Sequence, residues 1–306
     1  MKLLHSQHRQ FNINSTVRLF NAAGLSFFTL NLFHIAVLLF WLILYLKKVM
    51  TLKVKFYANN TNFVSGITLK ELAAPEENNM ALHACKNPEA VLSNRKSLAE
   101  FLDVSLDDFI CTQQTHSANF RRVDRHRKGR GAYTVETAIS DTDGLYTFDP
   151  GIVLCSFAAD CAPVIIHDKT TGLIGVIHSG WQGTVKEITL KFLKHIISIE
   201  QCNPTDLEIQ IGASISQQQF EVDQDVYLKF ETLGYANEFM YFNSATNKYH
   251  IDNQATVKKQ CELAGIPSSQ ILVDSTCTFL NSDGFSYRQD RKCGRHLIFA
   301  INKNTQ

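Results

Sequence analysis

The sequence carries no surplus of either charge: 30 Lys and Arg stand against 29 Asp and Glu, a net charge of +1 at pH 7. Without a whole-chain field, a protein whose main task is to grip nucleic acid or an anionic membrane surface is excluded, and anion binding has to be local. No C-x-x-C pair occurs, and the eight cysteines (Cys85, Cys111, Cys155, Cys161, Cys202, Cys261, Cys277 and Cys293) are scattered without a dense framework. A disulfide mini-scaffold is ruled out, and free thiols in a reducing compartment are expected. The eleven histidines include no His-x-His pair, the feature that a trinuclear copper cluster needs. No internal repeat is visible. What is present, 306 residues of which 45% are apolar and 19% charged, suffices for a core of one domain of about 250 residues or two smaller ones.

Composition shifts once. Residues 25–46 are almost wholly apolar, broken mainly by Asn31 and His34, and Lys47 and Lys48 follow directly. At about 1.5 Å rise per residue such a helix is long enough to cross a bilayer core. It is too long for a secretory apolar region and lacks a small-residue cleavage site, so it does not resemble a signal peptide. Two readings remain: an uncleaved anchor, or an upstream start codon with the protein beginning at Met50, just before Thr51-Leu-Lys-Val-Lys-Phe56, a plausible first strand. Residues 1–49 are thus set apart as an N-terminal segment and residues 50–306 as the main domain. The lysines after the span outnumber the basic residues before it, which favours a cytosolic domain even if the anchor is real.

Beyond Met50 strands and helices alternate, predicting one α/β domain. Residues 90–102 have helical amphipathicity. Residues 152–157, 164–167 and 173–178 are apolar runs separated by turn chemistry and predict buried strands. Thr184-Val-Lys-Glu187 predicts a capping box opening a helix, with Val185, Ile188, Phe192, Leu193 and Ile196 on one face. Farther along, 207–211 and 297–301 read as strands, 223–232 and 253–264 as helices.

The residues with chemistry gather at strand ends: His116 in Thr-Gln-Gln-Thr-His116, Cys161 in Ala-Asp-Cys161-Ala-Pro, and His178 in His178-Ser-Gly-Trp-Gln-Gly. Two imidazoles and a thiolate suit zinc, and three protein ligands leave a tetrahedral position open, as catalytic rather than structural sites do. Their wide, unequal separations match no short finger motif. Taken one at a time, a buried thiol and two hydrogen-bonded loop histidines explain the same residues.

Together these segments, with Phe285-Ser-Tyr-Arg-Gln-Asp290, Gly294-Arg295, Gly66-Ile-Thr-Leu-Lys70, Asn79 before Met80-Ala-Leu-His83, Asn94-Arg95 and Asp143-Gly-Leu-Tyr-Thr147, resemble the laccase-domain family over about residues 54–301. Members have been described as polyphenol oxidases, peptidoglycan editing factors, and purine nucleoside phosphorylases with adenosine deaminase activity. The resemblance implies a single-domain α/β sandwich-like fold, a mixed sheet with flanking helices, similar to certain toxin cysteine hydrolases. It implies zinc ligands at His116, Cys161 and His178. The substrates it implies are purine nucleosides and phosphate, with Asn79, Gly180, Gln182, Gly183 and Arg288 at the substrate, and Cys161, Asp160 and Arg288 catalytic. Asp160 or Asp143 would move a proton or orient a ligand histidine.

Gln182 stands where the family commonly has Arg, and Lys70 stands in a stretch where many members have Arg followed by a Gly pair. A glutamine cannot clamp phosphate as a guanidinium does, so Arg288, Arg295 and the amides of the Gly180–Gly183 turn are left to hold it. The basic run Arg121-Arg-Val-Asp-Arg-His-Arg-Lys-Gly-Arg130 has no interleaved aromatics. It predicts a solvated loop that could draw a phosphorylated substrate towards the site, not a nucleic-acid module. Two other chemistries are available to the same residues: thiol amidohydrolysis by Cys161 with His178 as base, and copper-dependent phenol oxidation, for which the missing His-x-His pairs are the obstacle.

Overall fold

A computed structural model describes residues 52–303 together with Val37 and Leu39. Contacts divide the chain into Met1–Lys47 and Lys48–Gln306, and every strand and helix with described bounds lies in the second unit. The apolar span 25–46 falls almost entirely outside the described residues. Within them no helix is long and apolar enough to cross a membrane.

The first half of the domain comprises β1 (Val54–Asn59), β2 (Phe63–Thr68), α1 (Pro88–Leu102), β3 (Phe109–Ile110), β4 (Phe120–Arg122), β5 (Gly144–Thr147) and β6 (Val153–Ala158). It continues with β7 (Ala162–Asp168), β8 (Ile174–Ser179), α2 (Trp181–Val185), α3 (Ile188–Ser198), β9 (Leu207–Ile211) and β10 (Glu221–Val222). The remainder is α4 (Gln224–Glu231), β11 (Met240–Asn243), β12 (Lys248–Ile251), α5 (Asn253–Leu263), β13 (Ile271–Val273) and β14 (His296–Asn302). Among the described residues three sheets form, ordered β1-β2-β14-β6-β3, β13-β9-β7-β8-β5-β4 and β10-β12-β11. The two larger are mixed: β3 is parallel to β6, β4 to β5 and β13 to β9, the other pairs being antiparallel.

Side-chain alternation builds four layers. In β6 and β14, Val153, Cys155, Phe157, Leu297, Phe299 and Ile301 face one cluster with Leu98, Ala99 and Leu102 of α1. Their neighbours Leu154, Ala158, Ile298 and Ala300 face Ile165, Ile174 and Val176 of the second sheet. On the far side Val164, Ile166 and Ile177 pack under Phe192, Leu193 and Ile196 of α3 and Val257 and Cys261 of α5. The expected α/β sandwich with flanking helices is thus realised as two mixed sheets rather than one. The small third sheet, built from strands too short to announce themselves by periodicity, adds a satellite cluster of Phe220, Val222, Phe230 and Ile251.

The helix at 88–102 follows from Asn87, whose side chain accepts from the amides of Glu89 (3.1 Å) and Ala90 (3.3 Å), and from Pro88 in the first turn. The capping box at Thr184 does not form. Gly180 opens the short α2, Thr184 lies inside it with its hydroxyl paired to Ser179 Oγ at 2.9 Å, and Glu187 takes a left-handed conformation before α3 begins. A hydroxyl already engaged behind it cannot cap what lies ahead. α3 then sits close to the sheet because Gly144 and Gly175 leave room for the Phe192 ring; a Cβ at either would come within 2.9 Å of a neighbouring side chain, at Gly175 the ring itself.

Candidate functional site

Strand register brings the site together. β7 and β8 pair antiparallel with Ala162 opposite Ser179 and Pro163 opposite His178, so Cys161 meets Gly180 at the end of the hairpin. His116 arrives from the loop between β3 and β4. The donor atoms of His116, Cys161 and His178 lie within 4.8 Å of one another, with Cys161 Sγ 3.8 Å from His116 Nε2. A Cβ on Gly180 would stand 2.6 Å from His116 Cδ2 and 2.8 Å from Cys161 Sγ. Glycine is therefore required there to keep the donors unobstructed.

Asp143 fixes both histidines. Its buried carboxylate accepts from His178 Nδ1 at 2.8 Å, from the amides of His116 (3.1 Å) and Ser117 (2.8 Å), and from Ser117 Oγ at 2.7 Å. The bond to Nδ1 leaves His178 Nε2 free to turn to Cys161. His116 has φ of 56° and Asp160 a φ of 81°, a left-handed conformation costly for such residues that persists only where neighbours hold it. For His116 the Asp143 carboxylate does so; for Asp160, Thr278 Oγ1 (2.7 Å), Ser286 Oγ (3.0 Å) and the Arg288 amide (2.7 Å) do.

The electrostatics of the group are coupled. Burial would push the Asp143 carboxyl up, but the hydrogen bonds and charge of His178 and the Ser117 donors hold it at about 2. Burial would likewise raise the Cys161 thiol; His178 beside it, with hydrogen bonds from both imidazoles, brings it down to about 6. Burial disfavours a charged His178, yet Cys161 and Asp143 lift it to about 9. The set is a thiolate clasped by imidazoles, the form of cysteine that binds metal or attacks carbon.

This group floors a cavity of about 650 Å3. One wall carries Arg288, Arg291 and Arg295, and Phe157, Trp181, Phe220 and Tyr287 supply aromatic surface. Arg288 spans two segments, its NH1 donating to the carbonyls of Gln219 (3.2 Å) and Glu221 (2.9 Å). Asp160 is the only carboxylate in the lining, and both its oxygens hold the 278–288 loop. Asp160, for which a catalytic role is expected, anchors that loop beside Cys161.

Asn79 does not line the cavity. It is fully buried, its Oδ1 accepting from the amides of Ala81 (2.9 Å) and Arg295 (2.8 Å) and its Nδ2 donating to Ala84 (2.7 Å). Its hydrogen bonds tie the Arg295 segment to the 79–84 turn. Gln182 is exposed and lines the cavity, as does Trp181 next to it, while Gly180 and Gly183 are buried in the turn. Lys70 points elsewhere, pairing with Glu77 at 3.1 Å.

The residue overlooked from sequence is His83, which lines the cavity. Burial first, then the Arg295 charge, lowers its imidazole to about 4, so it is neutral near pH 7. Arg291 was also passed over, although both stand inside or next to segments that carry the resemblance.

The chain is similar in sequence and fold to known proteins. The chain is 31% identical over 247 residues to a purine nucleoside phosphorylase, YlmD, of Bacillus subtilis, covering 79% of this chain and 89% of that one. It is 32% identical over 189 residues to an adenosine deaminase, RL5, from an unknown prokaryotic organism, covering 61% and 72% of the two chains. The crystal structure of YlmD from Geobacillus stearothermophilus superposes with a TM-score of 0.75 at 30% identity, over 79% of this chain and 93% of that one. The family model described as multi-copper polyphenol oxidoreductase laccase matches residues 66–303, a span that contains the whole site, and the chain belongs to that family.

Proposed function

We propose that residues 50–306 form a zinc-dependent purine nucleoside phosphorylase with accompanying adenosine deaminase activity. The observation that carries this is the donor set of His116, Cys161 and His178 opening into a cavity with arginines on one wall and aromatic rings around it. The donor set fits zinc: a thiolate and two imidazoles, one of them oriented by a carboxylate, with space kept clear by Gly180. When bound, zinc supplies Lewis acidity to an oxygen in the cavity.

The chain's own residues do the rest. Arg288, Arg291 and Arg295 bind phosphate, whose oxygen forms a bond to C1′ of the nucleoside as the C1′–N9 bond breaks, yielding ribose 1-phosphate and the free purine. Trp181, Phe220 and Tyr287 provide faces for the base. Deamination exchanges the C6 amine of adenosine for a water oxygen and releases ammonia in the same enclosure. All eight cysteines are free thiols, which suits a cytoplasmic setting. Among the described residues the His116 group is the only cluster of three or more His, Cys, Asp or Glu ligands.

A second reading rests on the lowered Cys161 thiol beside His178, itself held by Asp143: a Cys–His–Asp arrangement competent for amide hydrolysis. Incubating the protein with inosine, with and without phosphate, distinguishes them. Phosphorolysis yields hypoxanthine and ribose 1-phosphate only when phosphate is present. Free ribose, or base release without phosphate, contradicts the proposal, and an acyl-enzyme trapped on Cys161 moves the function to the thiol reading.

A further inference from the structure

A second cavity, of about 390 Å3, lies beside β4, the edge strand of the six-stranded sheet, and shares no lining residue with the cavity of Cys161. Arg121, Arg122, Arg127 and Arg130 line it, and among the described residues no carboxylate does. Arg122 is neutralised by Glu200 at 3.1 Å. The other three meet no carboxylate among the described residues: Arg121 Nε donates to Thr142 Oγ1 at 3.3 Å and Arg130 Nε to the Thr137 carbonyl at 2.5 Å. Three acids of the same stretch are engaged elsewhere, Asp149 with Arg125 (3.6 Å), Asp108 with Lys128 (2.8 Å), and Asp124 capping its own turn through the His126 amide (3.0 Å).

We propose that this cavity binds a small molecule carrying a diphosphate group, clamped by Arg121, Arg127 and Arg130. Three guanidiniums around one hollow repel each other unless an anion sits among them, and their planar forks match phosphoryl oxygens. A single phosphate leaves part of that charge uncompensated; a diphosphate does not. The volume falls at the small end of ligand pockets, about 300 to 1,000 Å3, which selects a small molecule over a polymer, as does the neutral chain as a whole. The diphosphate is inorganic or belongs to a nucleoside diphosphate, for which the half-buried Phe120 ring in the lining offers apolar surface.

The test is calorimetric titration of the full chain in an Arg288→Ala background, which weakens anion binding in the other cavity. Inorganic pyrophosphate should bind saturably, and more weakly as salt rises. Arg127→Ala and Arg130→Ala should each lower the affinity about tenfold or more, whereas Lys128→Ala, which removes a cation already paired with Asp108, should change it less than about twofold. Both arginines are exposed, and a thermal unfolding transition within a few degrees of the parent confirms that the variants fold. A nucleoside diphosphate binding more tightly than pyrophosphate supports the proposal and assigns the organic source; equal affinity supports it with the diphosphate alone as the determinant. No binding, binding indifferent to Arg127 and Arg130, or tighter binding of a single-stranded oligonucleotide than of pyrophosphate overturns it. None of these outcomes bears on phosphorolysis, which is read separately at Cys161.

Discussion

The two cavities handle charge in opposite ways. At the floor of the first, the Cys161 thiolate lies against His116 and His178, and the Asp143 carboxylate spends itself on His178 and on the amides of the His116 loop. Those groups are buried or half-buried and come from strand ends and from the loop between β3 and β4. In the second, exposed arginines on a short edge strand and the turn after it face a hollow without a carboxylate. A balanced and cross-braced group keeps its geometry unaided, as chemistry requires, whereas an unbalanced one gains most from an incoming ligand. Variants of the first cavity should therefore abolish turnover and spare diphosphate binding, and variants of the second should do the reverse.

The largest effect is expected at the donors. His116→Ala, Cys161→Ala and His178→Ala should each lose the metal and retain less than about 1% of turnover, checked by elemental analysis and initial rates. Diphosphate binding should survive in all three; its loss would mean that the cavities are not independent. Next comes Asp143→Asn, which replaces one of the two accepting oxygens by an NH2 donor and removes the charge that orients His178, and should lower metal affinity about 10- to 100-fold, read by competition with a chelator. Gly180→Ala should act similarly, about 10- to 100-fold in turnover, because its Cβ displaces His116 and Cys161.

A substitution of intermediate size works at the cavity mouth. Gln182→Arg adds a guanidinium beside the substrate and should lower the phosphate KM about tenfold, while Arg288→Ala should raise it; steady-state kinetics with varied phosphate decides. The smallest expected effect lies outside both cavities. Asp274 accepts from Lys55 Nζ at 2.7 Å and Tyr57 Oη at 2.9 Å, and although burial opposes its ionisation, these donors hold its carboxyl below the usual value. Its contribution is present above the ordinary carboxylate range near pH 4 and disappears as pH falls through the lowered value. Asp274→Asn should cost about 1 to 3 kcal/mol at pH 7 and much less near pH 2, measured by urea unfolding at both.

The sequence disclosed those features that obey a period or a local rule. Apolar runs bounded by turn chemistry marked β6, β7 and β8 as buried strands, the run at 297–301 marked β14, and helical amphipathicity over 90–102 marked most of α1. It also displayed His116, Cys161 and His178, because the segments around them are distinctive. Hidden were the features decided by who bonds to whom. Thr184 and Glu187 have the letters of a capping box, yet the Thr184 hydroxyl is held by Ser179. Asn79 and Asp160 have the letters of polar site residues, yet their side chains are consumed by the Arg295 and Arg288 segments. Asp143 could be narrowed only to proton carrier or orienter until its bonds to His178 and to the His116 and Ser117 amides were seen. His83 and Arg291 reach the cavity through long-range packing that no local pattern encodes.

The central claim is that His116, Cys161 and His178 hold a metal on which the nucleoside chemistry depends. The most direct measurement is the metal content of the purified protein together with its phosphate-dependent release of hypoxanthine from inosine, before chelation, after it, and after zinc is restored. The account predicts about one zinc per chain, loss of release on chelation and recovery on adding zinc. A metal-free protein with full activity would contradict it.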